Sequence, residues 1–523
     1  MAHDIEKFKE EINQGYTFKK DSIIIGTGIL DETPIEGAQV KIPLKTLNRH
    51  GLIAGATGTG KTKTLQVLAE QMSLNGIPTF LMDLKGDLSG LAKPGEMNDH
   101  IKWRQGVIGL DYNPEGMPIE FYTISDEKGA KMRATISEFG PILFSKILEL
   151  NETQQGIMAV VFKYCDDQKL PLLDLKDLKK TLQYLTQDGK AEFEQDYGRL
   201  SPTSVSTIVR KIIEIEQQGA ENFFGERSFD VEDLIRTTKD GKGVISVIRL
   251  TDIQDRPKLF STFMLSLLAE IYSTFPEQGD SDKPKLCIFI DEAHLVFKEA
   301  SDALLDQLES IIKLIRSKGV GIYFCTQNPT DIPDAVLSQL GLKIQHALRA
   351  FTAKDRKAIK QTAENYPLSD FYDTDVVLTS MGIGEALITA LNEKGIPTPL
   401  AATLLRAPLT RMDVLSNKEL DDIVSKSELV NYYNEEIDRE SAFEILGGKI
   451  NRASKEDKQK ELKEQHEKAR KLKKKEKEEP TFFESASKNT MVRQLGRTIF
   501  REITRGLLGA LGVGGRGRGR GLF

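Results

Sequence analysis

The sequence predicts an α/β fold with a mainly parallel sheet built around a phosphate-binding loop, and three features predict it. The first is Gly55-Ala56-Thr57-Gly58-Thr59-Gly60-Lys61-Thr62, preceded by the apolar run Leu52-Ile53-Ala54 and followed by Leu65, Val67, Leu68 and Ala69 in a helical pattern. The second is the apolar run Leu286-Cys287-Ile288-Phe289-Ile290, ended by Asp291-Glu292. The third is the return of strand-like runs at residues 77–83, 243–248 and 320–325 with helical patterns between them. Strands that alternate with helices imply parallel pairing.

A loop of this composition between a strand and a helix has a chemical reason. Glycines let successive backbone N–H groups curl around phosphate oxygens at a helix N-terminus. Gly55, Ala56, Thr57, Gly58, Thr59, Gly60, Lys61, Thr62 and Lys63 are therefore the expected nucleotide-binding residues, with ATP and Mg²⁺ as ligands. Lys61 is expected to reach the β- and γ-phosphates and the Thr62 hydroxyl to hold the metal.

Hydrolysis needs more than a cradle: an acid at a strand end to support Mg²⁺ and a base to orient the attacking water. Asp291 fits the first role and Glu292 the second. An Asp-Glu pair also suits the start of a surface helix, but its occurrence in the same sheet as the loop favours catalysis. His294 reads as a packing or coupling residue rather than a catalyst. Gln327, in Thr326-Gln327-Asn328-Pro329 at the end of the strand beside the acidic one, is placed to sense the γ-phosphate or to cap its loop. Asp83 ends the 77–83 strand and opens the loop Asp83-Leu84-Lys85-Gly86-Asp87, where it either orients a ligand group or caps the strand.

The chain has 523 residues, enough for about three domains at roughly 150 residues each. Hydrophobic residues make up 39% and charged residues 29%, which excludes fibrous and wholly disordered classes. No apolar run approaches the roughly 20 residues that span a bilayer, and the first residues lack a secretion signal's order, so a cytoplasmic protein without an integral membrane segment is expected. Cys165, Cys287 and Cys325 share no metal-ligand spacing and read as reduced core residues. A net charge of −6 confines any nucleic-acid contact to a local basic surface.

Residues 1–48 read as a short helix and a β-rich lead-in, 49–126 as the first part of the nucleotide core and 127–240 as a helical insertion. The core resumes over 241–412, followed by a helical segment at 413–452. Residues 453–523 form a charged tail: Lys, Glu and Gln dominate 455–479, which suits a solvated helix or a charged linker. Beyond it Val492, Leu495, Ile499, Ile503 and Leu507 recur at helical spacing beside Arg493, Arg497, Arg501 and Arg505, and a run of Gly and Arg follows from Gly514. This basic helix suits a docking partner, nucleic acid or an anionic membrane surface, and the sequence leaves the three open.

Between Lys61 and Asp291 the chain runs 230 positions, unlike two-lobed DEAH-box helicases, which keep these groups closer and add a second arginine-rich lobe. With Arg49-His50 before the loop strand, Asp83, Asp291-Glu292-Ala293-His294-Leu295-Val296-Phe297 and Arg316-Ser317-Lys318-Gly319-Val320-Gly321 leading to Gln327, the chain resembles the HerA-like ATPases of the FtsK–HerA superfamily over residues 23–407. That resemblance implies a RecA-like core, assembly as a homo-hexamer, ATP at subunit interfaces and duplex DNA in a central channel. It also implies an arginine acting on the neighbour's nucleotide, matched by Arg316, with Arg349 and Arg356 as alternatives. A nuclease or other effector is a further implied partner, although the segment before His50 is much shorter than the barrel domain of archaeal members. A conjugation or secretion ATPase acting on single-stranded DNA or protein is the alternative motor, and a nucleotide-gated scaffold the alternative outside motors.

Overall fold

Short runs of Leu, Ile, Val and Phe become interior strands because both of their faces can be buried at once, the condition of a parallel sheet covered by helices. The computed structural model describes residues 2–279, 281–298, 302–350, 352–437 and 439–477, so the expected basic helix at 492–507 and the Gly/Arg run lie outside the described residues. Helix α1 (Ala2–Gly15) precedes the hairpin β1 (Ser22–Leu30) and β2 (Thr33–Pro43). Strand β3 (Gly51–Ala54) enters the phosphate loop and α2 (Lys61–Leu74), followed by β4 (Thr79–Asp83), α3 (Asp99–Ile108), β5 (Ile119–Thr123) and β6 (Ala130–Lys131).

Helices α4 (Ile136–Ile147), α5 (Glu152–Asp167), α6 (Leu175–Thr186), α7 (Lys190–Tyr197) and α8 (Pro202–Gln217) then leave the sheet. Their starts are written locally: Thr135 with Glu138, Asn151 with Gln154 and Asp174 with Asp177 form reciprocal caps, and Pro202 sits in the first turn of α8 behind the Ser201 cap. The sheet resumes with β7 (Ile245–Arg249), α9 (Pro257–Thr274), β8 (Leu286–Ile290), α10 (His294–Lys298), α11 (Asp302–Ile315) and β9 (Val320–Thr326). It is completed by α12 (Asp334–Leu337), β10 (Leu342–Gln345), α13 (Ala353–Ala363), α14 (Thr374–Ser380), β11 (Glu385–Thr389) and β12 (Ala401–Leu405). The chain goes on through α15 (Asn417–Val424), α16 (Glu428–Tyr433) and α17 (Ala442–Lys477).

Among the described residues one sheet has the order β2-β1-β12-β11-β10-β3-β9-β8-β4-β7-β5-β6. Pairing is parallel from β10 to β6 and antiparallel from β2 to β10. Two features differ from the sequence reading. The β-rich lead-in extends the core sheet, because β12 returns beside β1 and its buried residues satisfy the β1 edge. Strands β5 and β6, absent from the sequence reading, carry the sheet past β7, and β6 falls at the start of the stretch read as helical. The described residues divide into two units, the first ending at Leu446 and the second starting at Gly447; described side chains of the second are exposed from Asn451 onward, as a solvated charged helix requires.

Helix α1 is anchored by Phe8, Ile12 and Tyr16, all buried, with the Phe8 ring edge-on to Phe371 and Tyr372. Replacing Phe8 by Ala should lower unfolding free energy by about 3–5 kcal/mol, read as an earlier urea midpoint of the full-length protein.

Candidate active site

Every candidate group except the arginines and the Lys63 ammonium meets at the carboxyl ends of β3, β4, β8 and β9, four adjacent strands in the order β3-β9-β8-β4. The phosphate loop starts where β3 stops and is pinned on both flanks: Gly55 N donates to Thr326 O at 3.3 Å and Ala56 N to Ala347 O at 2.9 Å. Gly55 adopts φ 150°, and a Cβ there would come within 2.5 Å of His346 Cβ, so glycine is required by both conformation and space. Gly60 caps α2 at φ 113°. The loop presents Thr57 and Gly58 to solvent and leaves Thr62 partly exposed.

Lys61 is buried, and its Nζ donates to Ala56 O at 3.1 Å. Burial and then the nearby Lys85 lower its pKa, opposed by Glu292 and Asp291, so these four charges act on one another. Lys63, expected in the nucleotide set, instead directs its ammonium to Gln66 Oε1 and the Met412 carbonyl.

Asp291 follows β8 and is buried. Its Oδ1 accepts from Glu292 N at 2.9 Å, whereas Oδ2 is buried without a hydrogen-bond partner. Burial pushes its pKa up to about 6, against the pull of Lys85. An orphaned carboxylate oxygen beside a phosphate loop fits a divalent cation, and Thr62 is the hydroxyl that would complete the set. Glu292 takes the left-handed φ of 46° and is buried, forming an ion pair with Lys85, and its Oε2 lies 3.2 Å from His294 Nδ1. His294 thus touches the expected base.

Asp83 resolves toward the capping role. Its Oδ1 accepts from Gly86 N at 2.7 Å and Asp87 N at 3.2 Å, and Oδ2 from Leu88 N at 3.2 Å. Burial, reinforced by Asp87, raises its pKa to about 7. The capped loop delivers Lys85 to Glu292. Burial opposes the Lys85 charge, but the Glu292 bond with Asp291 and Asp87 more than offsets it, leaving its pKa raised. Lys85 is the residue that sequence reasoning passed over; its only signal was its place one position beyond Leu84 in the loop that Asp83 opens. His346 was missed too: buried and held neutral, with a pKa pushed down to about 4 by burial and then Lys61, it shares a 2.9 Å hydrogen bond between Nε2 and Thr64 Oγ1.

Gln327 is exposed and follows Thr326, whose carbonyl receives Gly55 N, so it stands next to the phosphate loop. Arg316 is not with them. It lies just before β9, at the amino edge of the sheet, exposed in a cleft of about 480 Å³ that it shares with Arg49. Burial and then Arg49 lower its pKa. Arg349, whose Nη1 donates to Thr379 O at 3.1 Å, and Arg356 on α13 are exposed as well. A separate cavity of about 240 Å³ opens beside Gly60 and Thr64, walled by Ile383, Leu405, Pro408 and Met412.

Residues 29–518 match the model of the helicase HerA-like C-terminal family. The chain belongs to that family. It is 21% identical over 397 residues to the DNA double-strand break repair helicase HerA of Sulfolobus acidocaldarius, covering 72% of this chain and 69% of the relative. It is 25% identical over 387 residues to the DNA import protein CedB of the same organism, covering 74% of this chain and 56% of the relative. Among solved structures it resembles a bacterial conjugative coupling protein, TrwB lacking 70 N-terminal residues, at a TM-score of 0.50 and 14% identity, covering 78% of this chain and 94% of the other. This HerA-like chain is thus a P-loop ATPase with a RecA-like core. Among the described residues no helix is long and apolar enough to cross a membrane.

The raised pKa of Asp291 gives a pH dependence. A cation needs the carboxylate, so Mg²⁺-dependent nucleotide affinity should fall as pH drops through about 6, and Asp291→Asn should bind weakly at every pH, as read by calorimetry. Folding runs the other way: the native state holds more protons between the ordinary aspartate value of 3.8 and about 6, so unliganded stability should decline as pH rises across that window.

Proposed function

We propose that this chain is the ATP-hydrolysing subunit of a ring-shaped homo-oligomer, a hexamer by analogy with its family, that moves on or remodels double-stranded DNA. The observation that carries the reading is the split of catalytic groups between the two edges of one sheet: Lys61, Asp291 and Glu292 at the carboxyl edge, Arg316 exposed at the amino edge. Such a site is completed by a second copy.

In this reading backbone N–H groups from Gly58 to Thr62 and the Lys61 ammonium cradle the phosphates. Thr62 and Asp291 would hold Mg²⁺, which when bound neutralises phosphate charge. The apolar cavity beside Gly60 suits the nucleobase. Glu292, once its carboxylate is released from Lys85, accepts the proton of the attacking water. Lys85 meanwhile can turn to the phosphates, so the ion pair keeps the base idle until a substrate arrives. Gln327 reports the γ-phosphate, and Arg316 of the partner subunit stabilises the leaving charge.

Glu292→Gln should bind ATP yet lose turnover by at least about 100-fold. Arg316→Ala should be inactive alone, and mixing it with a Lys61→Ala chain should restore part of the activity, because a mixed interface in which the Arg316→Ala chain supplies the loop and the Lys61→Ala chain the arginine is intact, whereas the opposite orientation has neither group. Mass measurement with ATP and DNA tests the ring; a monomer at full activity would sink it.

The names of two similar proteins, a DNA import protein and a conjugative coupling protein, favour one second reading, a motor that carries single-stranded DNA across a barrier. Stimulation of hydrolysis that grows with duplex length supports the first reading; stimulation by single strands alone supports the second.

A further inference from the structure

Helices α6 and α8 lean together in the helical region and leave a groove of about 640 Å³ between them, walled also by Phe443 at the start of α17. Its apolar lining comes from Pro202, Val205 and Val209 of α8, with Phe443 45% exposed at its mouth. Its rim is cationic: Lys176, Lys179 and Lys180 on α6 face Arg210 on α8, and no Asp or Glu lines the groove. In a chain of net charge −6 this is a marked local excess.

The cations differ in how far they are neutralised. Lys179 is paired with Glu216 at 2.6 Å, and Lys176 helps to hold the Glu444 carboxyl below its usual range, after Ser441 and its neighbours. Lys180 lies 5.7 Å over the Phe443 ring, and Arg210 Nη2 donates to Thr207 Oγ1 at 2.9 Å. Neither has a carboxylate partner among the described residues. Two cations therefore face a greasy trough without counter-charge.

An occupant must bring carboxylates or phosphates to the rim and apolar groups to the trough. The chain's own C-terminal stretch has the wrong sign, because Arg493, Arg497, Arg501 and Arg505 would meet Lys180 and Arg210. A nucleic-acid strand would satisfy the rim, but the trough is aliphatic and offers a single ring for stacking. An acidic amphipathic segment satisfies both.

We propose that the α6–α8 groove is a docking site for an acidic amphipathic segment of a partner protein. Its apolar side chains lie on Val205, Val209 and Phe443, and its carboxylates pair with Lys180, Arg210 and Lys176. The groove lies outside the nucleotide site, so the proposal stands whether or not the motor moves DNA.

A fluorescein-labelled helical peptide of about 18 residues, with Leu on one stripe and Glu elsewhere, is titrated with the full-length protein by anisotropy. Binding should weaken with salt, and Lys180→Glu with Arg210→Glu should weaken it about tenfold or more. Val209→Ser should weaken it too, and all three changes should leave basal ATP turnover unchanged. A peptide with Lys in place of Glu should not bind. Three results would overturn the proposal: no binding at about 1 mM protein sites, affinity insensitive to the charge reversals, or an oligothymidylate of similar length that binds more tightly and is lost in the same variants. The last would assign the groove to nucleic acid.

Discussion

Four charges, Lys61, Lys85, Asp291 and Glu292, are brought together at the end of strands that have no solvent on either face, and the site depends on that placement. Taking charges out of water is costly unless they compensate one another. Here two cations and two carboxylates do so, yet incompletely: desolvation still raises Asp291 and lowers Lys61. The remaining imbalance sits on a carboxylate oxygen with no hydrogen-bond partner. A triphosphate with its cation adds both signs at once, so it can relieve the orphaned oxygen and the buried lysine together.

The scaffold holds this edge fixed by unusual means at both ends of β3. At its amino end His50, kept neutral by burial with a pKa pushed down to about 4, accepts from Ile322 N at 3.0 Å on Nδ1 and bonds Ile312 O at 2.9 Å through Nε2. One imidazole thereby ties the loop strand to β9 and to α11. Beyond the loop, Glu70 of α2 is buried and accepts from Leu409 N at 2.9 Å and Thr410 N at 3.1 Å. The loop helix is locked to the chain that leaves β12, which in turn closes the sheet against the N-terminal hairpin.

Groups contiguous in sequence were legible: the phosphate loop, Asp291-Glu292 and the strand before them each carry their chemistry in eight residues or fewer. What was not legible depends on distant pairing. Lys85 meets Glu292 across 207 positions, and nothing in a Lys within a polar loop announces its partner. Strand β5, Ile119-Glu120-Phe121-Tyr122-Thr123, was missed because its start is only half buried and Glu120 interrupts the apolar run, pairing there with Arg236 at 3.1 Å. Asp83 was open between two roles until three backbone N–H groups were seen to occupy its oxygens.

Strand polarity then decides what Arg316 can serve. In parallel pairing all carboxyl ends share one edge, so a residue before β9 and a residue after it are separated by the strand's whole length. β9 has seven residues, which at roughly 3.3 Å each puts Arg316 and Gln327 more than about 20 Å apart. That exceeds the reach of any side chain, so Arg316 cannot touch a nucleotide held by its own loop. In the proposed ring, a Gln327 that senses the γ-phosphate and an Arg316 that serves the next nucleotide would be joined by the seven residues of β9, which begins just after Arg316 and ends just before Gln327, a short rigid link between successive sites.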